Sequence, residues 1–245
     1  MADELRRFFV DPSALKARNV TLTGDLAHRL ARVLRYRRGD SVVLAGGAKD
    51  YVVQLTGVSA NAVTGLVTGE QPAPHEPSLQ VVLYQSMIRA NRFDFVLEKG
   101  TEIGVSRFVP VMATRTQLQM EETGPARAER WRRLITEAAE QCGRGRLPTV
   151  EPSQSFEDAI TRAPGLKILP WEDERKQRLG GYLRSLKEKP RAVSVFIGPE
   201  GGYEPAEVEL ARESGAALVT LGRRVMRAET AAIVACGIVL HELDG

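Results

Sequence analysis

Gly198-Pro199-Glu200-Gly201-Gly202 closes an apolar run, VSVFI, and a helix-forming stretch opened by Pro205 follows almost at once. Glycine costs backbone entropy, so a junction this rich in it calls for a tight turn, or for close approach of a ligand to bare backbone N–H groups. The loop is neither G-x-x-x-x-G-K-[ST] nor G-x-G-x-x-G, which leaves out the two common phosphate-binding fingerprints. Some twenty residues on, LGRRVMRAET puts Arg227 and Glu229 two positions apart. With Glu200 they supply a cation able to stabilise a developing anion and carboxylates able to accept a proton. The plainer alternatives are a strand-to-helix turn at 198–202, and an acid at a helix N-terminus paired with Arg227. His28, His75 and His241 are scattered, and Cys142 and Cys236 form no C-x-x-C pair, so the expectation for a metal is none.

These groups need elements that deliver them to one place. From about residue 79 onward, apolar strand-like runs alternate with amphipathic helical ones: LQVVLYQS, NRFDFVLEKGTEIG, SRFVPVMA, PARAERWRRLITEAAEQCG, LKILP, ERKQRLGGYLRSLKEK, AVSVFIG, PAEVELARESG, ALVTLG and ETAAIVACGIVLHEL. That rhythm predicts an α/β domain with a largely parallel sheet covered on both faces. Ligands bind such sheets beyond the carboxyl ends of the strands. Three ends are unusual, LKILPWEDE, VFIGPEGG and VTLGRRVMRAET, and all lie late in the chain. A Rossmann-type enzyme would place its glycine loop after the first strand instead. The last helix, AAIVACGIVL, is apolar on all sides and therefore expected to be buried.

The first 72 residues read differently. RFFV, SVVLAG, YVVQLTGV and AVTGLVTG are β-branched or aromatic runs separated by turn residues, the pattern of a small β barrel. One helix is expected around residues 25–37, with Leu26, Leu30, Val33 and Leu34 on its apolar face. EQPAPHEPS, 70–78, has three prolines in nine residues and is expected to link domains 1–72 and 73–245.

Residues 1–72 hold 10 Lys and Arg against 7 Asp and Glu, the whole of the chain's formal +3. Arg29, Arg32, Arg35, Arg37 and Arg38 crowd together without an acid among them, a solvated helix face or a grip on nucleic acid. The 245 residues are 43% hydrophobic and 27% charged, and no apolar run approaches the ~18 residues of a membrane span. MADELRRFFV has acids where a secretory leader is basic, and two cysteines are too few for a disulfide framework. A reduced cytoplasmic protein without membrane attachment is expected.

Three segments together carry a resemblance: EKGTEIGVSRFVPV (98–111), EAAEQCGRGRLP (137–148) and FIGPEGGYEPAEVELA…LGRRVMRAETAA (196–232). They look like the RsmE family, bacterial methyltransferases of N3 of a uridine in the decoding region of 16S rRNA. RRFFV and HRLARVLRYRRGD resemble the family's start, so nearly the whole chain is covered. The pattern departs at Met226 and Ala228, where Leu and Thr are expected.

The resemblance implies a PUA-like β barrel followed by a SPOUT-type domain with a C-terminal trefoil knot, S-adenosyl-L-methionine as cofactor, and a homodimer. It implies 16S rRNA, within the 30S subunit, as the partner. The cofactor would lie against Leu169, Trp171, Gly198, Pro199, Glu200, Gly201, Gly202, Leu221, Gly222, Val225, Met226 and Thr230. Uracil N3 holds a proton at neutral pH, so Arg227 is expected near a uracil carbonyl, with Glu229 as proton acceptor or as its support and Glu200 in reserve. RNA contacts are expected from Arg29, Arg32, Arg35, Arg37, Arg144 and Arg146. Two alternatives stand beside this reading: a SPOUT methyltransferase of another rRNA or tRNA base, and a non-catalytic assembly factor built on a PUA-like domain.

Overall fold

The computed structural model describes residues 5–15, 18–47, 49–74, 76–116 and 124–244; His75 and the first four residues of the chain lie outside them. The chain forms two compact units, one of residues 1–76 with 140–147, the other of 77–139 with 148–245.

The first unit is one five-stranded sheet. It contains β1 (Arg7–Phe9), a 3-10 turn at Pro12–Leu15, β2 (Asn19–Thr23), α1 (Gly24–His28), β3 (Ser41–Ala45), β4 (Lys49–Val58) and β5 (Ala62–Pro72). The spatial order is β1-β3-β4-β5-β2, with β1 parallel to β3 and every other pairing antiparallel. Alternation decides which face is inside: in β2, Val20 and Leu22 are buried and their neighbours exposed. Register shifts in β4 at Val52/Val53 and Leu55/Gly57 bend the sheet around Phe8, Leu30, Val42, Leu44, Leu55 and Val63.

The expected helix at 25–37 is shorter and less regular. α1 runs into a π turn at Arg29–Val33, and Arg35 takes a left-handed backbone, φ 58°. The extra residue in the turn rotates the helical phase, so Leu30 is buried while Val33, placed on the apolar face by simple spacing, is 64% exposed. Residues 70–72, read as the start of a linker, belong to the end of β5.

The second unit contains β6 (Gln80–Ser86), α2 (Ala90–Ile103), β7 (Arg107–Met112), α3 (Pro125–Cys142, whose last three residues count with the first unit), β8 (Thr149–Val150), β9 (Gln154–Ser155), α4 (Phe156–Arg162), β10 (Leu166–Pro170), α5 (Leu179–Arg184), β11 (Ala192–Ile197), α6 (Pro205–Glu213), β12 (Ala217–Val219) and α7 (Ala228–Leu243). Its sheet is parallel throughout, ordered β12-β10-β11-β6-β7-β8, with β9 also on β7.

Both faces are covered, as alternating strands and helices require. Val81 and Leu83 of β6 face α2, α3, α5 and α7, while Val82 and Tyr84 between them face α4 and α6. Tyr84 stacks on Phe196 of the neighbouring strand at 4.4 Å between ring centroids. Between β10 and β11 only Leu179–Arg184 is helical, where the sequence suggested a longer helix. α7 is less enclosed than its composition suggested: Ala232, Ala235, Cys236 and Val239 are buried, but Ile233, Val234 and Ile238 are only half-buried.

Candidate active site

The site is built at the carboxyl edge of four adjacent strands. Pro170 at the end of β10 pairs with Val219 of β12, and Ile197 at the end of β11 pairs with Gln85 of β6. The order β12-β10-β11-β6 therefore brings the loops after these strands side by side. They enclose a cavity of about 420 Å³, within the ~300–1,000 Å³ usual for small-molecule sites.

The glycine loop is held from behind. Its turn closes with Gly202 N–H donating to the Pro199 carbonyl at 3.0 Å, and Arg115 donates to the Gly201 carbonyl at 2.9 Å and to Glu204 at 2.7 Å. α6 then starts in a reciprocal capping box: Glu204 and Glu207 satisfy each other's backbone N–H groups, and Pro205 occupies the first turn. The buried Glu207 also accepts the Thr114 N–H at 2.8 Å, tying this start to the segment after β7.

Gly202 is the position with least latitude. Its φ is +70°, and a Cβ there would collide with Glu172 Oε1. Gly222, φ +136°, has nothing within 4 Å of where a Cβ would stand, so its main chain is bare on the cavity wall.

Of the residues expected to hold the cofactor, Trp171, Gly198, Pro199, Glu200, Gly202, Leu221, Gly222, Val225 and Met226 line this cavity. Three do not. Leu169 is wholly buried in the core on the α4–α6 side, because alternation in β10 turns it inward. Gly201 faces the Arg115 side chain, and Thr230 is exposed on α7. The wall is apolar at Ile197, Leu221, Met226 and Ala231, with main chain at three glycines. An adenine and the aliphatic part of a methionine chain fit such surfaces, and the charged residues at the margin suit an amino-acid zwitterion, so the residues present fit S-adenosylmethionine.

Arg227 lines the cavity as the N-cap of α7, its side chain exposed. Glu200 lines it too, and accepts a hydrogen bond from Arg92 Nη1 at 3.2 Å. Glu229, in the first turn of α7, has Oε1 3.7 Å from Arg92 Nε and a buried Oε2 with no hydrogen-bond partner. Arg92 thus stands between both candidate carboxylates and on the cavity wall. Sequence reading missed it, since in NRFDFVLEKG it is one polar residue of an amphipathic helix. Glu172 and Arg175, also on the wall, were missed as well.

Tyr203 is a different case. Its phenol is fully buried beside the Ser86 hydroxyl, with neither making a hydrogen bond of normal geometry. Burial, weakly opposed by Ser86, pushes its pKa well above the ordinary value of 10.0, so it stays neutral. Burial also pushes the Cys236 thiol up to about 12, which removes it as a nucleophile.

The expected RNA contacts divide. Arg32, Arg35, Arg37 and Arg146 are exposed. Arg29 is ion-paired with Glu140 and lies 5.0 Å from the Phe8 ring centroid. Arg144, expected at the surface, is buried: it grips Glu76 through Nε at 3.0 Å and Nη2 at 2.6 Å. Its carbonyl accepts from Arg7, which is itself held by the buried Asp50 at 2.7 and 2.8 Å. The EQCGR stretch is therefore an internal clip of the first unit. Burial disfavours ionisation of Glu76, but the Arg144 hydrogen bond and the Arg146 and Gly145 amides outweigh it and hold the carboxyl below its ordinary 4.5.

Among the described residues, no helix is long and apolar enough to cross a membrane, and no group of three or more His, Cys, Asp and Glu could hold a metal ion.

Residues 75–240 match a family described as RNA methyltransferase domain. The chain is 34% identical to the ribosomal RNA small subunit methyltransferase E of Synechocystis, over 94% of its own length and 75% of the relative's. It is 26% identical to the protein of the same name from Bacillus subtilis over 98% of both chains. Its fold is similar to a crystal structure of ribosomal RNA small subunit methyltransferase E from Neisseria gonorrhoeae bound to S-adenosyl methionine, with TM-score 0.84, 29% identity and 95% of each chain covered. A Legionella pneumophila protein solved with the cofactor SAM gives TM-score 0.86 at 26% identity, over 96% of this chain and 97% of that one. With a family match across most of its length and full-length relatives of one name, the chain belongs to the family of ribosomal RNA small subunit methyltransferase E.

Proposed function

We propose that the protein is an S-adenosylmethionine-dependent methyltransferase of small-subunit ribosomal RNA that acts on N3 of a uridine in 16S rRNA. Family membership supports the rRNA activity, and the relatives bound to S-adenosylmethionine support the cofactor. The observation that carries the finer reading is the cavity where four strand ends bring Arg227, Arg92 and Glu200 together.

When bound, the cofactor supplies an electrophilic methyl group, whose carbon takes the N3 electron pair as the carbon–sulfur pair returns to sulfur. The chain's own task is to make N3 a nucleophile. Glu200, on the cavity wall, accepts the N3 proton, while Arg227 donates to a pyrimidine carbonyl and stabilises the charge spread onto it. Arg92 aims Glu200, and Glu229 anchors Arg92 from behind. Tyr203 remains a neutral wall.

The first unit is proposed as a PUA-like, RNA-holding barrel, with residues 1–72 as that domain and 73–245 as the catalytic one. A C-terminal trefoil knot is supported by the path of α7, which leaves the edge strand β12 and returns to pack against β11, β6 and α2. A homodimer is supported by the half-buried Ile233 and Val234 on α7, and a cytoplasmic place by a substrate within the 30S subunit. The test is incubation with labelled S-adenosylmethionine and either free 16S rRNA or 30S particles lacking the modification, followed by mapping of the methylated nucleotide. Label at uridine N3 is expected; label on another base, or none, overturns the assignment.

A further inference from the structure

We propose that a second cavity of the catalytic unit is a docking site for the phosphodiester backbone of the RNA whose base enters the first. The proposal rests on the RNA-methyltransferase reading above. This cavity, about 370 Å³, is lined by Arg178, Arg184, Arg223 and Arg224 around the main chain of Gly180 and Gly181.

Four arginines line one concave surface. Arg184 is ion-paired with Glu242, but among the described residues Arg178, Arg223 and Arg224 have no carboxylate partner. Several other surface arginines of this unit do have a carboxylate partner, as Arg115 has Glu204, Arg162 has Asp158 and Arg212 has Glu209. Concentrated like charge without a counter-ion is unfavourable in the free protein and favours an incoming anion. The planar guanidinium fork matches a phosphate bidentately. The floor leaves room, since nothing lies within 4 Å of a Cβ built on Gly181.

Position selects RNA phosphate over a free anion. Thr220, Leu221, Gly222, Arg223 and Arg224 line both cavities, so one short segment separates them. A nucleotide's base and its phosphates are only a sugar apart. A base in the first cavity therefore places a flanking phosphate beside this wall, where the unpaired arginines stand.

Arg178 lines the second cavity alone, so it separates the two functions. The experiment compares wild type, Arg178→Ala, Arg178→Lys and, as a surface control, Arg212→Ala. It measures 16S rRNA affinity against salt, steady-state methyl transfer, and S-adenosylmethionine affinity. For Arg178→Ala the slope of log K against log salt is expected to shrink by roughly 0.7–0.9 for each phosphate no longer neutralised. KM for RNA should rise about tenfold with cofactor affinity unchanged, and Arg178→Lys should keep the wild-type slope. Unchanged slope and KM in Arg178→Ala, with wild type active, overturn the docking site and leave the methyltransferase reading intact. So does an equal loss in Arg212→Ala, which marks a diffuse surface effect, or a parallel loss of cofactor affinity, which assigns Arg178 to the first cavity. Tight inorganic phosphate binding with an unaltered RNA slope marks a free-anion site and overturns it too. If wild type neither binds nor methylates rRNA, both readings fall together.

Discussion

Arg92 Nη1 lies 3.2 Å from Glu200 Oε1, joining the first turn of α2 to the glycine loop after β11 across two paired strand ends. The same guanidinium lies 3.7 Å from Glu229 through Nε. Losing it releases Glu200 from its aim while leaving the glycine loop and the apolar part of the cavity wall in place. Arg92→Ala is expected to lower kcat by about 10²-fold or more, the scale of losing a well-placed acid–base group. The S-adenosylmethionine Kd should change by less than about threefold, and Arg92→Lys should restore part of the rate. Equal losses in kcat and cofactor affinity would make Arg92 a binding residue instead.

Arg227 differs because it is exposed and carries no carboxylate partner among the described residues. Arg227→Ala is expected to spare cofactor binding and depress methyl transfer by about 10²-fold or more. Raising the pH should recover part of the loss, because solvent then removes the N3 proton and the missing charge matters less. A pH-independent defect would count against its proposed role at the pyrimidine carbonyl.

Two neighbouring glycines should behave oppositely. A Cβ on Gly201 meets only the Arg115 side chain at 3.4 Å, an ordinary separation, whereas Gly202 combines φ +70° with a Glu172 oxygen where its Cβ would stand. Gly202→Val is expected to abolish S-adenosylmethionine binding in calorimetry, and Gly201→Val to retain it within about tenfold. Identical outcomes for the two would show that the loop tolerates, or fails, as a unit.

The contrast between these glycines marks what the sequence could convey. Local composition exposes the glycine loop and the RRVMRAET segment, and the alternation of apolar runs with amphipathic helical ones exposes the parallel sheet, because both signals are carried by residues close in sequence. Arg92 was invisible because its importance comes from β6 lying beside β11, more than a hundred residues later. Arg144 looked like an RNA contact for the same reason: its partner, Glu76, is 68 positions away. The π turn hid the exposure of Val33, since helical spacing assumes a constant 3.6-residue pitch.

Glu76 gives the first unit a pH signature. Its carboxyl is held below 4.5, so it contributes stability above the unfolded pKa and loses that contribution as pH falls through the folded value. Glu76→Gln leaves the Arg144 guanidinium buried without its carboxylate and should cost roughly 3 kcal/mol at pH 7, the low end for breaking a buried pair. Urea unfolding should show the gap between wild type and variant narrowing as pH is lowered from 5 towards 3. A constant gap would mean that the substitution acts through packing alone.

The last helix offers a test of assembly. One face of α7 is sealed in the core through Ala232, Ala235, Cys236 and Val239. Ile233 and Val234 lie on the other side and remain half-buried, a short apolar stripe that water penalises. Covering it with a second copy accounts for so apolar a helix at the edge of a unit. Val234→Glu should then convert a dimer of twice the monomer mass to a monomer in light scattering, because a charge buried in a symmetric interface would face its own counterpart. S-adenosylmethionine affinity measured on the monomer would show whether the first cavity is complete within one chain. A wild type that is already monomeric at micromolar concentration would end the dimer proposal, and the stripe would then need another cover.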